Sequence, residues 1–291
     1  MLVLTKSRDL TLGQHENRVQ HLADATDRRK TQVASVEFTE EGNVAIITLN
    51  RPEKLNAVNR TMVAELNAAI RRFMEADHLR VAVYCSNGRS FSAGVDLADV
   101  QAALNEPEGP QRDAAKAAFD IEFEEAEFWD KPIIAAIQGQ CCGVGFTSSL
   151  ACDLRIAAED AVVIMPEIKF GVASVHGNLR MVQMAGYART MEMLLTGEAR
   201  SAQWALDAGL INEIVPAGEE RKRAIALAHM IASFDQSIVY NSRKVGALSQ
   251  WASFDDTVAL GVSLRKDFKP NADYVNKITG RSAARAEGAN A

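Results

Sequence analysis

The sequence predicts an α/β protein with a helical C-terminal region, on three observations. Short apolar runs of strand length alternate with helix-periodic segments up to about residue 175. Beyond residue 176 the spacing of apolar residues is almost wholly helical. The 291 residues are 47% hydrophobic and 24% charged, the balance of a globular chain that can bury a large core.

The elements follow in order. "VASVEFTEEGNVAIITLN" from Val33 reads as two short strands around the hairpin turn Glu40-Glu41-Gly42-Asn43. "RTMVAELNAAIRRFMEA" places apolar residues at 62, 63, 66, 69, 70 and 73, which is helical spacing. "VAVYCS" is a buried strand, followed by the Gly- and Ser-rich "NGRSFSAGVD". Residues 103–112, with two prolines, a glycine and charges, suit neither helix nor strand and are expected to be a mobile surface loop. Residues 111–129 read as an acidic helix and "KPIIAAIQG" as another buried strand. "GVGFTSSLACD" suggests a helix that begins beside glycines, and "LRIAA" and "AVVIM" are short strands. Helices are then expected over 177–186, 189–196, 201–208, 219–233, 236–249 and 254–267. The organisation expected is an N-terminal arm (1–33), a core (34–200), a helical region (201–278) and a mobile tail (279–291).

Charge and composition exclude several functions. A net charge of −6 argues against bulk binding to nucleic acid or anionic membrane, while leaving room for one basic pocket. No apolar run approaches the ~18 residues of a membrane helix. Cys85, Cys141, Cys142 and Cys152 form neither paired CxxC spacing nor a disulfide framework, so they read as packing residues in a reducing, cytoplasmic protein. The first 33 residues lack an apolar signal core, and Asp9, Glu16, Asp24 and Asp27 do not suit a transit peptide. The C-terminal Gly-Ala-Asn-Ala is not a peroxisomal address.

Common catalytic motifs are missing. There is no GxxxxGK[ST] phosphate loop and no GxSxG elbow, and Gly143-Val144-Gly145 lacks the third glycine of a dinucleotide fingerprint. His15, His21, His78, His176 and His229 are scattered without HExxH, so no metal site is expected. Two glycine turns remain, "SFSAGVDL" (90–97) and "GQCCGVGF" (139–146), each after a buried strand. Small residues there allow a ligand close to the backbone, and free N–H groups from two converging turns could hold one oxygen, as a thioester enolate requires. The same glycines equally suit close strand–helix packing.

"LNRPEKLNAV" (49–58), "RSFSAGVDL" (89–97), "KPIIAAIQGQCCGVGF" (131–146), "ACDLRIAAEDA" (151–161) and "MPEIKFGV" (165–172) resemble the crotonase (enoyl-CoA hydratase/isomerase) superfamily. Order and spacing match from about 33 to 270, with "LLTGEARSAQWALDAGLINEIVP" (194–216) also similar. The resemblance implies a ββα-spiral core with a C-terminal helical trimerisation region, in homotrimers or homohexamers. It implies an acyl-CoA substrate, with coenzyme A as part of the thioester and no separate cofactor. The thioester oxygen would sit between the backbone N–H groups of Val95 and Val144, beside Gly94 and Gly143. Lys54, Asn56, Ala57, Ala93, Asp96 and Leu97 match the turns that line the CoA pocket, and Lys266 and Lys269 are candidates for its phosphates, against the plainer reading of solvated lysines. A basic surface for RNA, known in some relatives, is not expected at this charge.

Hydratases of the superfamily use two glutamates. Glu167, after Pro166, matches the second; a carboxyl between a buried strand and "IKFGV" would be partly desolvated and suited to proton transfer. The position of the first is Thr147, which can orient water but is no base near neutral pH. The segment "GVASVHGNL" (171–179) also departs from the Pro- and Gly-rich turn of many hydratases. With "MPEIKFG" it is similar to carboxymethylproline synthases, and "GFTSSLACDL" with "HGNL" is similar to hydroxycinnamoyl-CoA hydratase-lyases. His176, and Phe128 with Trp129, are candidates for the acyl pocket, against the plainer readings of a capping histidine and core aromatics. Hydration, isomerisation, carbon–carbon bond formation or cleavage, and CoA binding without turnover all stay open at this level.

Overall fold

The computed structural model describes residues 34–122, 130–172 and 174–265. The expected arm, the tail, Phe128, Trp129, Lys266 and Lys269 lie outside the described residues. A six-stranded sheet forms the centre, in the order β1 (Val36–Glu41), β2 (Val44–Leu49), β3 (Val81–Ser86), β4 (Ile133–Ile137), β6 (Leu154–Ala158), β9 (Glu213–Val215). The β1–β2 hairpin is antiparallel, and all other neighbours in this sheet are parallel.

Both faces of this sheet are covered, which is why its central strands read as continuous apolar runs. Ala45, Ile47 and Leu49 of β2 and Ala82 and Tyr84 of β3 share one core with Met62, Leu66, Ile70 and Phe73 of α1 (Arg60–Glu75). The alternate residues Val44, Ile46, Val81 and Val83 pack on the opposite face against Ala224 and Ala228 of α7 (Glu220–Ala232). The two-residue pleat thus assigns each side chain to a layer.

A second sheet orders β5 (Gln140–Cys142), β7 (Val162–Ile164) and β8 (Arg200–Ser201). The short helix α4 (Val144–Leu150) follows β5 directly. The other helices are α2 (Leu97–Leu104), α3 (Pro110–Ala117), α5 (His176–Thr196), α6 (Ala202–Asp207), α8 (Gln236–Leu248) and α9 (Phe254–Arg265).

Three expectations change. The stretch 103–112 is not one loop: Asp96 caps α2 by accepting from Ala98 N–H at 3.1 Å, and Pro110 opens α3, where its missing N–H costs nothing. The helix expected over 111–129 ends at Ala117. Residues beyond 176 are not all helical, because the two- and three-residue strands β8 and β9 pair with β7 and β6. The two helices expected at 177–186 and 189–196 are both present and meet at a kink at Gly186, where φ is +76°.

Helix α1 ends on a buried cation. Lys131 Nζ donates to the Phe73 and Ala76 carbonyls at 3.0 and 2.7 Å, satisfying acceptors that the helix end leaves open. Replacing Lys131 by methionine strands both oxygens. The expected cost is about 1–3 kcal/mol, read as a lower denaturation midpoint with an unchanged m-value.

Candidate active site

Three chain segments meet above the sheet. In the first, Leu55 and Asn56 adopt left-handed backbone, with φ of +52° and +53°. Asn56 explains how that is held. Its Oδ1 accepts from Arg51 N–H at 2.8 Å, and its Nδ2 donates to the Asn87 and Ser90 carbonyls at 2.8 and 2.9 Å. The fully buried side chain is spent on the backbone. Arg51 Nη1 also donates to the Ala57 carbonyl at 3.0 Å and to Asp96 at 2.7 Å. The Arg51 guanidinium holds the Asp96 carboxyl below the usual carboxylate range. Asp96 is therefore fixed by Arg51 and by its capping bond to α2, while Lys54 and Leu97 are exposed.

The second segment, 90–96, runs between the first and β5. Ala93 N–H donates to the Leu55 carbonyl at 2.9 Å, and Val58 N–H to the Gly94 carbonyl at 2.7 Å. On the other side Ser92 N–H reaches the Gln140 carbonyl at 3.0 Å, and Cys142 N–H reaches the Ser92 carbonyl at 2.9 Å. The third segment is β5 with α4. A Cβ on Gly143 (φ +51°) would lie 3.8 Å from Gly94 Cα, so the two glycine turns abut.

Peptide geometry then aims two donors. A trans peptide points its N–H opposite to the preceding C=O. The Gly94 carbonyl is turned to Val58, so Val95 N–H points away from the first segment. The Gly143 carbonyl accepts from Thr147 N–H at 2.9 Å, so Val144 N–H points out of the start of α4. Among the described residues neither N–H has a hydrogen-bond partner. The glycines divide between the two readings left open by sequence. Gly94 (φ +94°) and Gly143 serve the turn geometry, whereas Gly145 serves packing, since a Cβ there would come within 2.5 Å of Ser92 Cβ.

Glu167 opens a 3₁₀ turn, Glu167–Phe170, directly after Pro166. Its Oε1 lies 3.3 Å from where a Gly143 Cβ would sit, and its buried Oε2 has no hydrogen-bond partner. Burial pushes the carboxyl above the ordinary glutamate value, as expected for a group suited to moving a proton. Burial and the nearby Glu167 charge together push the Cys142 thiol up to about 11. All four cysteines are free and buried.

Thr147 lies one helical turn beyond Gly143. It is buried, its hydroxyl 4.0 Å from Met165 Sδ. Gly177 of α5 closes over it: a Cβ there would meet Met165 Cε at 2.6 Å and both Thr147 Oγ1 and Ser174 Oγ at 2.8 Å. His176 is exposed, and it is its neighbour Gly177 that packs on Thr147. Ser92, Met165, Ser174 and Gly177 lie inside the quoted segments but were given no role from the sequence, because small or apolar side chains carry no chemical signal of their own. A cavity of about 230 Å³ farther along α4, lined by Leu150, Arg180, Arg243 and Trp251 among others, does not include Glu167, Val95 or Val144. Among the described residues no cluster of His, Cys, Asp and Glu could hold a metal ion.

The profile of the enoyl-CoA hydratase/isomerase family matches residues 39–246. The chain belongs to this family. The mitochondrial enoyl-CoA hydratase of Pongo abelii is 33% identical over 227 residues, covering 77% of this chain and 74% of that one. The hydroxycinnamoyl-CoA hydratase-lyase of Pseudomonas fluorescens is 32% identical over 192 residues, covering 65% and 69%. A crystal structure of enoyl-CoA hydratase subunit I from Geobacillus kaustophilus superposes with a TM-score of 0.77 at 27% identity, covering 87% of this chain and 97% of that one. The protein is thus an enzyme of the enoyl-CoA hydratase/isomerase family with the crotonase fold, for which a CoA thioester fits as substrate. Among the described residues no helix is long and apolar enough to cross a membrane.

The half-buried carboxyl of this hydratase/isomerase-family site has a consequence for stability. Because folding raises its pKa, the native protein binds more protons than the unfolded chain between the ordinary value of 4.5 and the raised one. Stability therefore falls as pH rises through that window. Glu167→Gln removes this term, so the variant melts above the unmodified protein at alkaline pH, and the gap closes as the pH drops below the ordinary glutamate value. A gap that widens toward acid would show that folding lowers this pKa.

Proposed function

We propose that this enzyme acts on acyl-CoA thioesters through an enolate, with Glu167 as the only carboxylate that moves protons. Glu167 takes the α-proton, and negative charge then develops on the thioester oxygen between the N–H groups of Val95 and Val144. The backbone around Lys54, Asn56, Ala57, Ala93, Gly94, Asp96 and Leu97 flanks the CoA portion. One observation carries the reading: a half-buried carboxylate with an unpartnered oxygen lies against the Gly143–Gly94 contact, while the place of a second carboxylate holds Thr147.

Adding water to an isolated double bond needs one group to activate water and another to protonate the α-carbon. Each positioned acid or base is worth ~10²–10⁴-fold. Thr147 cannot be the second such group. Double-bond shift, α-proton exchange, or capture of the enolate by an electrophile needs only one. A second reading is carbon–carbon bond formation or cleavage, of the carboxymethylproline synthase or hydroxycinnamoyl-CoA hydratase-lyase type. It is favoured by Thr147 together with the similarity to the hydratase-lyase. A phenolic acyl group would assist loss or gain of water through its own ring.

A homotrimeric or homohexameric assembly belongs to the same proposal. Phe170, Val172, Val175 and Leu179, exposed beside Glu167 in the chain, support it as apolar surface in need of cover. A cytoplasmic location is supported by the four free cysteines.

The test sets hydration of crotonyl-CoA beside deuterium exchange at the α-carbon of butyryl-CoA. The expected outcome is exchange well above hydration in the unmodified enzyme, with a loss of ~10²-fold or more in exchange for Glu167→Gln at unchanged CoA affinity. Hydration faster than exchange would restore a two-group hydratase. Exchange undiminished in folded Glu167→Gln would remove that residue from the mechanism, and absence of all turnover across an acyl-CoA panel would leave a CoA-binding protein.

A further inference from the structure

We propose that Arg155 is a positioning residue for the oxyanion site: its buried guanidinium anchors the far end of α4, the helix whose first N–H belongs to Val144. This rests on the reading of Val144 N–H as an oxyanion donor.

Arg155 lies on β6 and is only 4% exposed. Its Nε donates to the Leu210 carbonyl at 2.6 Å, and its Nη1 donates to the carbonyls of Cys152 at 2.6 Å and Ser149 at 3.3 Å. Among the described residues its hydrogen-bond acceptors are backbone carbonyls, with no carboxylate among them. Burial pulls this guanidinium below its ordinary value despite the nearby Cys152 and Asp153, so fixed dipoles are needed to stabilise the charge. The end of α4 supplies those dipoles. The carbonyls of its last turn carry the negative end of the helix dipole, and the Ser149 carbonyl, which also accepts from Cys152 N–H at 3.1 Å, has a second lone pair for Arg155. Ser149 is in that turn, and Cys152 lies just after it. The main chain of Arg155 is held as well, with N–H on Asn212 Oδ1 at 2.8 Å and C=O accepting from Asn212 N–H at 3.0 Å.

The mechanical consequence comes from length. Seven residues of helix span about 10 Å, two turns that move as one body. At its start α4 leans on Ser92 through Gly145, and at its end it is tied to the central sheet through Arg155. Loss of the second tie lets the axis tilt about the first. A displacement of about 1 Å at a group beside the reacting atoms can cost up to ~10²-fold in rate. Lys131 provides the comparison, because it is also a buried cation on helix-end carbonyls, but of α1, which contributes no donor to the site.

Arg155→Lys keeps the charge and loses the fork that reaches three carbonyls. The experiment reads the thioester carbonyl stretch of bound butyryl-CoA by isotope-edited infrared spectroscopy, together with kcat and KM for α-exchange, on protein shown folded by circular dichroism. The unmodified enzyme is expected to lower the carbonyl frequency relative to free butyryl-CoA. Arg155→Lys is expected to lose part of that shift and about 10-fold or more in kcat, with KM within about twofold. Lys131→Met is expected to lose thermal stability while keeping both shift and kcat. A full shift and kcat in folded Arg155→Lys overturns the positioning role, as does an equal loss in Lys131→Met, which would make the effect one of general stability. No shift in the unmodified enzyme overturns the donor reading itself, and the positioning role with it.

Discussion

Ser92 is buried at the point where the three segments of the site have to meet, and nearly every atom it offers is committed. Its Oγ donates to the Asn56 carbonyl at 2.8 Å and accepts from Gly94 N–H at 3.2 Å. Its backbone N–H and C=O bind β5 on the other side, and its Cβ fills the space left by the hydrogen of Gly145. One residue thus fixes the left-handed turn at Leu55–Asn56, the glycine turn that aims Val95 N–H, and the approach of α4. A larger side chain at 92 would displace α4, and an apolar one would strand buried backbone groups.

Around that joint the enzyme separates binding from reactivity by burial and pairing. Asp96 sits among the motif residues but is neutralised by Arg51 and used as a helix cap. Glu167 has no such partner on Oε2, and burial holds its proton more tightly. Two carboxylates in adjacent segments therefore take different work, one holding the backbone and one suited to proton transfer. The cysteines are pushed toward the thiol form by burial, Cys142 to about 11.

Membership of the family leaves the acyl group and the reaction subtype to local packing. Thr147 is enclosed by Met165, Ser174 and Gly177, and Gly177 allows α5 to approach so closely because any Cβ would clash. That enclosure differs in kind from a second carboxylate at the same place, which would need water or donors around it.

From local patterns alone the layers of the fold could be read, and the residues of the candidate site could be singled out. The hairpin at Gly42, the face of α1 and the buried strands β2, β3 and β4 were legible because each rests on a local period or turn preference. Glu167, the two glycine turns and Thr147 were legible because their motifs run in a recognisable order. The remainder came from contacts between segments far apart in the chain. The strands β5, β8 and β9 have three residues or fewer, too short for a period, and exist because a partner strand offers hydrogen bonds. The use of Asp96 depended on Arg51, 45 positions earlier. Whether a glycine served a turn or a contact depended on the atom facing it, such as Ser92 against Gly145. The direction of the Val95 and Val144 N–H groups depended on where the preceding carbonyls were bound, a long-range pairing for Gly94 and a helical turn for Gly143. Local patterns specify elements, whereas the aim of a donor and the burial of a carboxyl come from contacts between segments distant in the chain.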